Sequence, residues 1–498
     1  MRRRSLSAFA FVLVMVLMLA DSRVLFAMEE NIVNGNTEYE EGTSEQETDE
    51  IAECIEEEVV TSENCEEETQ DDTENEDKAE WKEEVEDSSE EETAEEVICF
   101  PGVPENFSLS EMQEERKILA AHIEDTGAFE EDVACVAGEI LVSAETEEEA
   151  RIYAQAYGGT LKRYVDSVAV ILLPEEGDVT VQAAVFASLD EAKRLPVAWP
   201  NAYYYIENEA EENIVTDEAT EFEAELSSVY DDKYLNPIYS EYQWFHHVIG
   251  SERAWRNGYT GAGIKVAVLD SGVMLNHEDL QVRGTSVLED GDAKDILGHG
   301  THVCGLIGAT LQNGVGGAGV APESTVYSIK VTDENRVTAD NLIAGMQAAK
   351  HYEADIVNIS SASPYYNALI EDRIKVLYHS GIAVFVAAGN QGTNAYTYPA
   401  ACEGAIAVAS FNEATQPSFF TNYGKMIDYA APGDSILSTV NDKELLYGKK
   451  SGTSSASPIA AGSAAVVLQY ARQKGLIKKE ATSYDVDLLV SLLEKGAV

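Results

Sequence analysis

The 498-residue chain carries 91 acidic residues against 33 Lys and Arg, a formal charge of −58, with 45% hydrophobic residues. That length holds two or three domains, and the absence of a strong basic patch excludes nucleic-acid binding, which needs cations to neutralise phosphates. The charge is uneven: about 64 of the acids and about 14 of the bases fall within the first 240 residues, leaving the remainder near −8.

Met1-Arg2-Arg3-Arg4 followed by an apolar run from Ala8 to Ala20 has the basic head and short apolar core of a secretory signal, here residues 1–27. The run is short for a membrane span, and no other segment is apolar enough to cross a bilayer. A secreted, extracellular or cell-surface-associated protein with no stable membrane span after signal cleavage is therefore expected. Residues 28–105 are dominated by Glu, Asp, Thr and Ser and cannot bury enough apolar surface to offset ordering, so they read as a disordered acidic arm. The six cysteines, Cys54, Cys65, Cys99, Cys135, Cys304 and Cys402, form no Cys-x-x-Cys or Cys/His zinc pattern, and the sequence does not pair them.

Residues 106–133 read as a helical linker, with Ser108 or Ser110 capping a helix over Glu111–His122. Residues 134–206 alternate strand and helix: Glu139–Ser143, a helix over Glu147–Tyr157 ending at Gly158-Gly159, a strand over Tyr164–Leu173, a helix over Val181–Leu189 and a closing strand over Ala202–Ile206. That order suits a small α+β sandwich. Residues 207–238 are again acidic and weakly patterned, like a linker. From 239 to 498 buried strands are expected over Ile264–Leu269, Val326–Val331, Ile356–Ile359, Ala383–Ala387 and Ala405–Ala409, with helices over Thr338–His351, Leu369–Ser380 and Ala456–Lys474. Continuous apolar strands joined by helices predict an α/β fold, a parallel sheet covered by helices on both faces. Ligands of such sheets sit beyond the carboxyl ends of the strands, where Asp270 and Asn390 fall.

Four short motifs follow one another: Val268-Leu269-Asp270-Ser271-Gly272, His299-Gly300-Thr301-His302-Val303, Ala387-Ala388-Gly389-Asn390 and Gly452-Thr453-Ser454-Ser455-Ala456-Ser457-Pro458. Singly, each has a plain reading: a turn-capping Asp, packed histidines, a turn Asn, a serine at a helix start. Jointly they supply a hydroxyl, a base that could activate it and an acid that could orient the base. The order Asp, His, Ser is the one subtilisin uses. On these motifs residues 239–498 resemble the subtilisin-family serine peptidases, the subtilases.

The resemblance implies Ser454 as nucleophile, His299 rather than His302 as general base and acid, Asp270 as the partner of His299, and Asn390 as the oxyanion donor. It implies that a protein or peptide substrate lies as an added strand on Ser360, Ser361 and Ala362, where this chain lacks the family's Leu and Gly, with Thr397 at the floor of the primary pocket. It implies a calcium site made by Asp279, Asn313 and the carbonyls of Leu311, Val315 and Gly317; no N-terminal ligand can be placed from the sequence. Cys304 stands where the family usually has Ala, so bulky thiol reagents are expected to inhibit. By order and position, residues 134–206 resemble a subtilase propeptide, an intramolecular inhibitor and folding assistant, with processing within 207–238. The expected protein is a secreted serine endopeptidase made as a zymogen. A dedicated peptidase maturing one secreted precursor, and a non-catalytic binding protein on the same fold, are the alternatives.

Overall fold

The computed structural model describes residues 100–104, 107–109, 112–126, 133–175, 179–206, 209–212, 242–442, 445–478 and 482–496. The expected signal, the acidic arm before residue 100, most of the 207–238 linker, and Cys54, Cys65 and Cys99 lie outside the described residues. Among the described residues no helix is long and apolar enough to cross a membrane.

The first helix, α1 (Gln113–Thr126), starts and ends later than expected, because Gln-Glu-Glu-Arg-Lys-Ile-Leu-Ala-Ala-His-Ile-Glu-Asp-Thr is a run of mostly good helix formers. The α+β unit follows as β1 (Cys135–Ser143), α2 (Glu147–Ala156), β2 (Thr160–Val165), β3 (Val168–Leu172), α3 (Val181–Leu189) and β4 (Trp199–Tyr205). Thr146 and Thr180 cap α2 and α3, each side chain accepting from the backbone N–H three residues on. The single strand expected over Tyr164–Leu173 is instead a hairpin. Asp166 and Ser167 both take positive φ, 46° and 62°, the backbone of a two-residue turn whose twist matches its strands. The order β2-β3-β1-β4 is wholly antiparallel, the split βαβ arrangement. The closing strand begins at Trp199, three residues before the expected Ala202.

Beyond β5 (Glu209–Glu212) come α4 (Trp244–Ile249), α5 (Ser251–Arg256), β6 (Lys265–Asp270), β7 (Arg283–Ser286), α6 (His299–Gly308), β8 (Thr325–Lys330), β9 (Arg336–Thr338), α7 (Ala339–His351), β10 (Ile356–Ile359), α8 (Ala368–His379), β11 (Ala383–Ala387) and β12 (Ala405–Phe411). The chain ends through β13 (Tyr429–Pro432), β14 (Ile436–Thr439), β15 (Tyr447–Ser451), α9 (Thr453–Gln473) and α10 (Ser483–Gly496). Strands β13-β12-β11-β10-β6-β8-β7 form one seven-stranded sheet, parallel throughout. Helices α6 and α9 pack on one face and α7 and α8 on the other, as the apolar strands require. The last long helix begins at Thr453 rather than Ala456, so Ser454 lies inside its first turn.

Strand β4 belongs to two settings. One edge pairs with β1 and the other with β9, giving the sheet β2-β3-β1-β4-β9. A continuous apolar core joins Ile140, Ile171 and Trp199 of the α+β unit to Ile343, Ile374 and Leu377 of α7 and α8. Asn201 sits at the seam, 1% exposed. Its Nδ2 donates to Glu139 Oε2 at 2.9 Å and Asp340 Oδ1 at 3.0 Å, and its Oδ1 accepts from the Asp340 N–H at 3.2 Å. Beside it Arg163 reaches Asp340, Asn341 and the Val287 carbonyl. Asn201→Ala strands the buried Glu139 Oε2 and a helix N–H, and leaves Asp340 Oδ1 with the Thr338 hydroxyl alone, so it should destabilise the full chain by about 2 kcal/mol. A lowered urea midpoint at unchanged m value is the expected result; an unchanged midpoint would contradict it.

Candidate active site

Three of the sequence-predicted residues fall at the carboxyl ends of neighbouring parallel strands, on the same rim of the sheet, and a fourth lies beside them. Asp270 closes β6, Ser360 follows β10, Asn390 follows β11, and His299 opens α6 nearby. Asp270 and His299 are both 1% exposed. His299 Nδ1 lies 2.7 Å from Asp270 Oδ1, the same oxygen that accepts the Ser271 N–H at 2.7 Å. Asp270 Oδ2 is buried with no hydrogen-bond partner. The carboxylate therefore holds Nδ1 as the protonated ring nitrogen, which leaves Nε2 as the base. Gly300 permits the approach: a Cβ there would lie 2.2 Å from the Gly272 carbonyl oxygen and 3.2 Å from Asp270 Oδ1.

The sequence reading missed the group that braces this pair. Asp295, 3% exposed, accepts from Ser271 Oγ at 2.8 Å, from the Leu297 and Gly298 N–H groups, and from both the N–H and the hydroxyl of Thr301. Ser271 Oγ in turn accepts the Gly300 N–H at 2.9 Å. One carboxylate thus ties the turn after β6 to the first turn of α6. The signal was an Asp four residues before His299, visible but without a motif to mark it. His302 is a packed histidine: its Nε2 meets the Ile436 carbonyl at 2.9 Å, and burial pushes its pKa well down.

Ser454, 4% exposed, is fixed through its backbone. Pro458 lies four residues on and has no N–H, so it cannot make the helical bond to the Ser454 carbonyl. Ser360 Oγ donates to that carbonyl instead, at 3.2 Å. Asn358 Nδ2 orients Ser360 from 2.9 Å, and Ser457 Oγ donates to Asn358 Oδ1 at 2.7 Å. The Ser360 hydroxyl is thus committed to holding the helix start. Asn390 Oδ1 accepts from the Thr453 N–H at 2.8 Å and the Thr453 hydroxyl at 2.9 Å, which turns the donor end of its amide away from Thr453.

Ala362 exchanges both backbone hydrogen bonds with Tyr205 at the end of β4, at 2.7 and 3.0 Å, and the Ile206 N–H donates to the Asn335 carbonyl at 2.8 Å. The edge expected to take an added strand carries the chain's own β4. Ser361 Oγ is buried there without a partner. Thr397 turns its hydroxyl onto the Ala388 carbonyl at 2.6 Å, while the next residue, Tyr398, pairs with Ser363. Cys304 departs from expectation: it is fully buried behind His299 and burial pushes its thiol pKa well up, so it offers no exposed thiolate to a reagent. Among the described residues Cys304 and Cys402 are buried, unpaired thiols.

Among the described residues no group of three or more His, Cys, Asp or Glu could hold a metal. The predicted calcium residues still fit a hard cation, whose ligands here would be mostly neutral oxygens. Asp279 is fully buried, its Oδ2 has no partner, and its Oδ1 accepts from Asn313 Nδ2 at 2.6 Å. Burial pushes its pKa up to about 7. Gly316 lies so close that a Cβ would stand 2.4 Å from Asp279 Oδ2. Gln243, from the N-terminal side, packs beside Gly317 and Asp279, its Oε1 accepting from the Ala318 N–H at 2.8 Å.

A parallel α/β sheet that gathers Asp270, His299, Asn390 and Ser454 at one rim, in that order along the chain, defines the class, a serine-type hydrolase fold. The model of the subtilase family matches residues 261–488. The subtilisin of Bacillus pumilus is 40% identical over 219 residues, 42% of this chain and 78% of that protein. The minor extracellular protease Epr of Bacillus subtilis (strain 168) is 37% identical over 231 residues, 46% of this chain but only 35% of that protein. The major intracellular serine protease of the same strain is 38% identical over 238 residues, 45% of this chain and 74% of that protein. The chain belongs to the subtilase family. Loss of the brace at Asp295 (Asp295→Ala) should lower kcat for peptide hydrolysis about tenfold, ~1.4 kcal/mol of barrier, with little change in KM. Unchanged kcat per titrated active site would show that Asp295 does not position His299.

Proposed function

We propose that the protein is a secreted serine endopeptidase made as a zymogen. Ser454 Oγ attacks the peptide carbonyl carbon while His299 Nε2 takes its proton, and Asp270 stabilises the imidazolium. The oxyanion is met by Asn390 Nδ2 and the Ser454 N–H at the start of α9. The C–N bond breaks as His299 returns the proton to the leaving amine, and water then hydrolyses the acyl-enzyme with His299 as base again. The observation that carries this reading is the buried 2.7 Å contact between His299 Nδ1 and Asp270 Oδ1 on the same rim as Asn390 and Ser454. A fluorophosphonate should label wild type and not Ser454→Ala. Asn390→Ala should keep KM and lose ~10²–10³ in kcat, a figure measured on subtilisin itself. Wild type that neither labels nor cleaves would leave a binding protein on a peptidase fold.

Residues 134–206 act as the inhibitor. Supporting this, β4 ends on Ala362 and Asn335, the edge assigned to substrate, and β5 resumes on β15 immediately before the nucleophile turn. Processing is accordingly assigned between Ile206 and Glu209, and a mature N-terminus outside that window would reject the register. The unpartnered Ser361 hydroxyl, where the family carries Leu, favours a narrower substrate range than that of a general degradative enzyme.

Calcium, where bound, would be held by Asp279, Asn313 and Gln243 with the carbonyls of Leu311, Val315 and Gly317, and would supply the charge that a buried carboxylate needs. Without metal, Asp279 has a folded pKa of about 7 against 3.8 unfolded, so its contribution is present below 3.8 and lost as pH rises through 7. Bound cation keeps the carboxylate ionised and removes that loss. A chelator should therefore lower Tm more at about pH 8 than at about pH 5. An equal or absent shift at both would refute the site.

A further inference from the structure

Strand β5 occupies a position that the proposed cleavage chemistry leaves unexplained. It adds to β14 and β15 as the third strand of an antiparallel sheet, with Glu209 opposite Ser451 and Glu212 opposite Lys449. One edge of β15 is covered by β14 and the other by β5. Because β15 ends at Ser451, three residues before Ser454, a chain leaving the nucleophile runs antiparallel along it, away from the catalytic turn. Only Glu207 and Asn208 separate the strand that enters on Ala362 and Asn335 from the strand that leaves on β15.

We infer that Lys449, on the outer edge of β15, makes that edge select an acidic, extended segment on the leaving side of the cleaved bond. This deepens the peptidase reading above and rests on it. Two observations support the occupant. The first is that the segment seated there is Glu209-Ala210-Glu211-Glu212, from the chain itself. The second is charge: within a chain of −58, β15 carries two consecutive cations, Lys449 and Lys450. Lys449 is half-buried with its Nζ 5.6 Å from the centre of the Tyr242 ring, so it is held at the edge. Lys450 faces inward, 4% exposed, and its charge helps lower the pKa of His302. The described acids near this strand include Asp434, which accepts from Ser451 Oγ, and Glu278, which accepts from the Tyr447 hydroxyl, with the buried Asp279 beyond the Tyr447 ring. Asp434 and Glu278 contact the two ends of β15 and leave Lys449 as the central charge. When β5 departs with the processed segment, the backbone donors and acceptors it satisfied on β15 are left for another extended chain.

The test uses processed enzyme and fluorogenic peptides that copy residues 203–212, with Glu or Gln at the positions of Glu209, Glu211 and Glu212. Per titrated active site, kcat/KM should be about three- to fivefold higher for the Glu peptide. The preference should vanish near about 0.5 M salt. Lys449→Gln should flatten the ratio and Lys449→Glu should invert it, a reversal that a merely misfolded edge cannot produce. Equal kcat/KM for the two peptides in wild type, or a ratio untouched by Lys449→Glu, overturns the docking edge while fluorophosphonate labelling leaves the peptidase reading intact. Absence of both labelling and cleavage overturns the two together.

Discussion

The hydrogen bond between Asp270 and His299 sets the terms for the rest of the structure. A carboxylate taken out of water is costly unless hydrogen bonds and a cation meet it. Asp270 is met on one oxygen only, by a backbone N–H and an imidazole. Its second oxygen is buried and has no hydrogen-bond partner. Such an arrangement persists only if the surroundings hold both groups in place. The central strand β6 fixes Asp270 from behind, Asp295 and Ser271 fix the turn around it, and Gly272 and Gly300 let two backbones close to a distance no side chain would permit.

A second constraint comes from β4, a strand shared by two architectures. Its first residues complete a four-stranded sheet with its own helices; its last residues lie between β9 and Ala362, on the rim of the parallel sheet. Asn201, Arg163 and the shared apolar core lock the two together at the N-terminal turn of α7, where N–H groups without intrahelical acceptors donate to a partner. The edge at Ala362 therefore pairs with a strand whose position is set from outside it.

Much of this was legible before the structure. Strands such as Ile356–Ile359 and Ala383–Ala387 were found without error because a strand buried on both faces is an unbroken apolar run bounded by turns. The hairpin at Asp166-Ser167 was hidden because its turn contains neither Gly nor Asn, and alternation continues across it. Short elements such as β9, β14 and β15 gave no signal, since their stability comes from neighbours distant in sequence. The members of the site that motifs mark, Asp270, His299, Asn390 and Ser454, are brought to one rim. Asp295, Asn358 and Gln243 were invisible because polar residues that brace others have no pattern of their own; only the fold brings Ser457 to Asn358 across 99 positions. His302 and Cys304 resolved into packing residues for the opposite reason, a suggestive position with every atom already surrounded.

The double membership of β4 has a consequence for timing. Cutting the chain between Ile206 and Glu209 would break one covalent link but none of the ladder bonds to β9 and Ala362, nor the contacts of Asn201 and Arg163. What changes at that instant is local concentration: a tethered strand returns to its groove after every excursion, whereas a severed one can diffuse off. Scission and the appearance of activity would then be separate events, the second governed by an off-rate and by dilution. A protein secreted into a large volume would awaken quickly, and the same protein held in a confined space would stay silent although already cut.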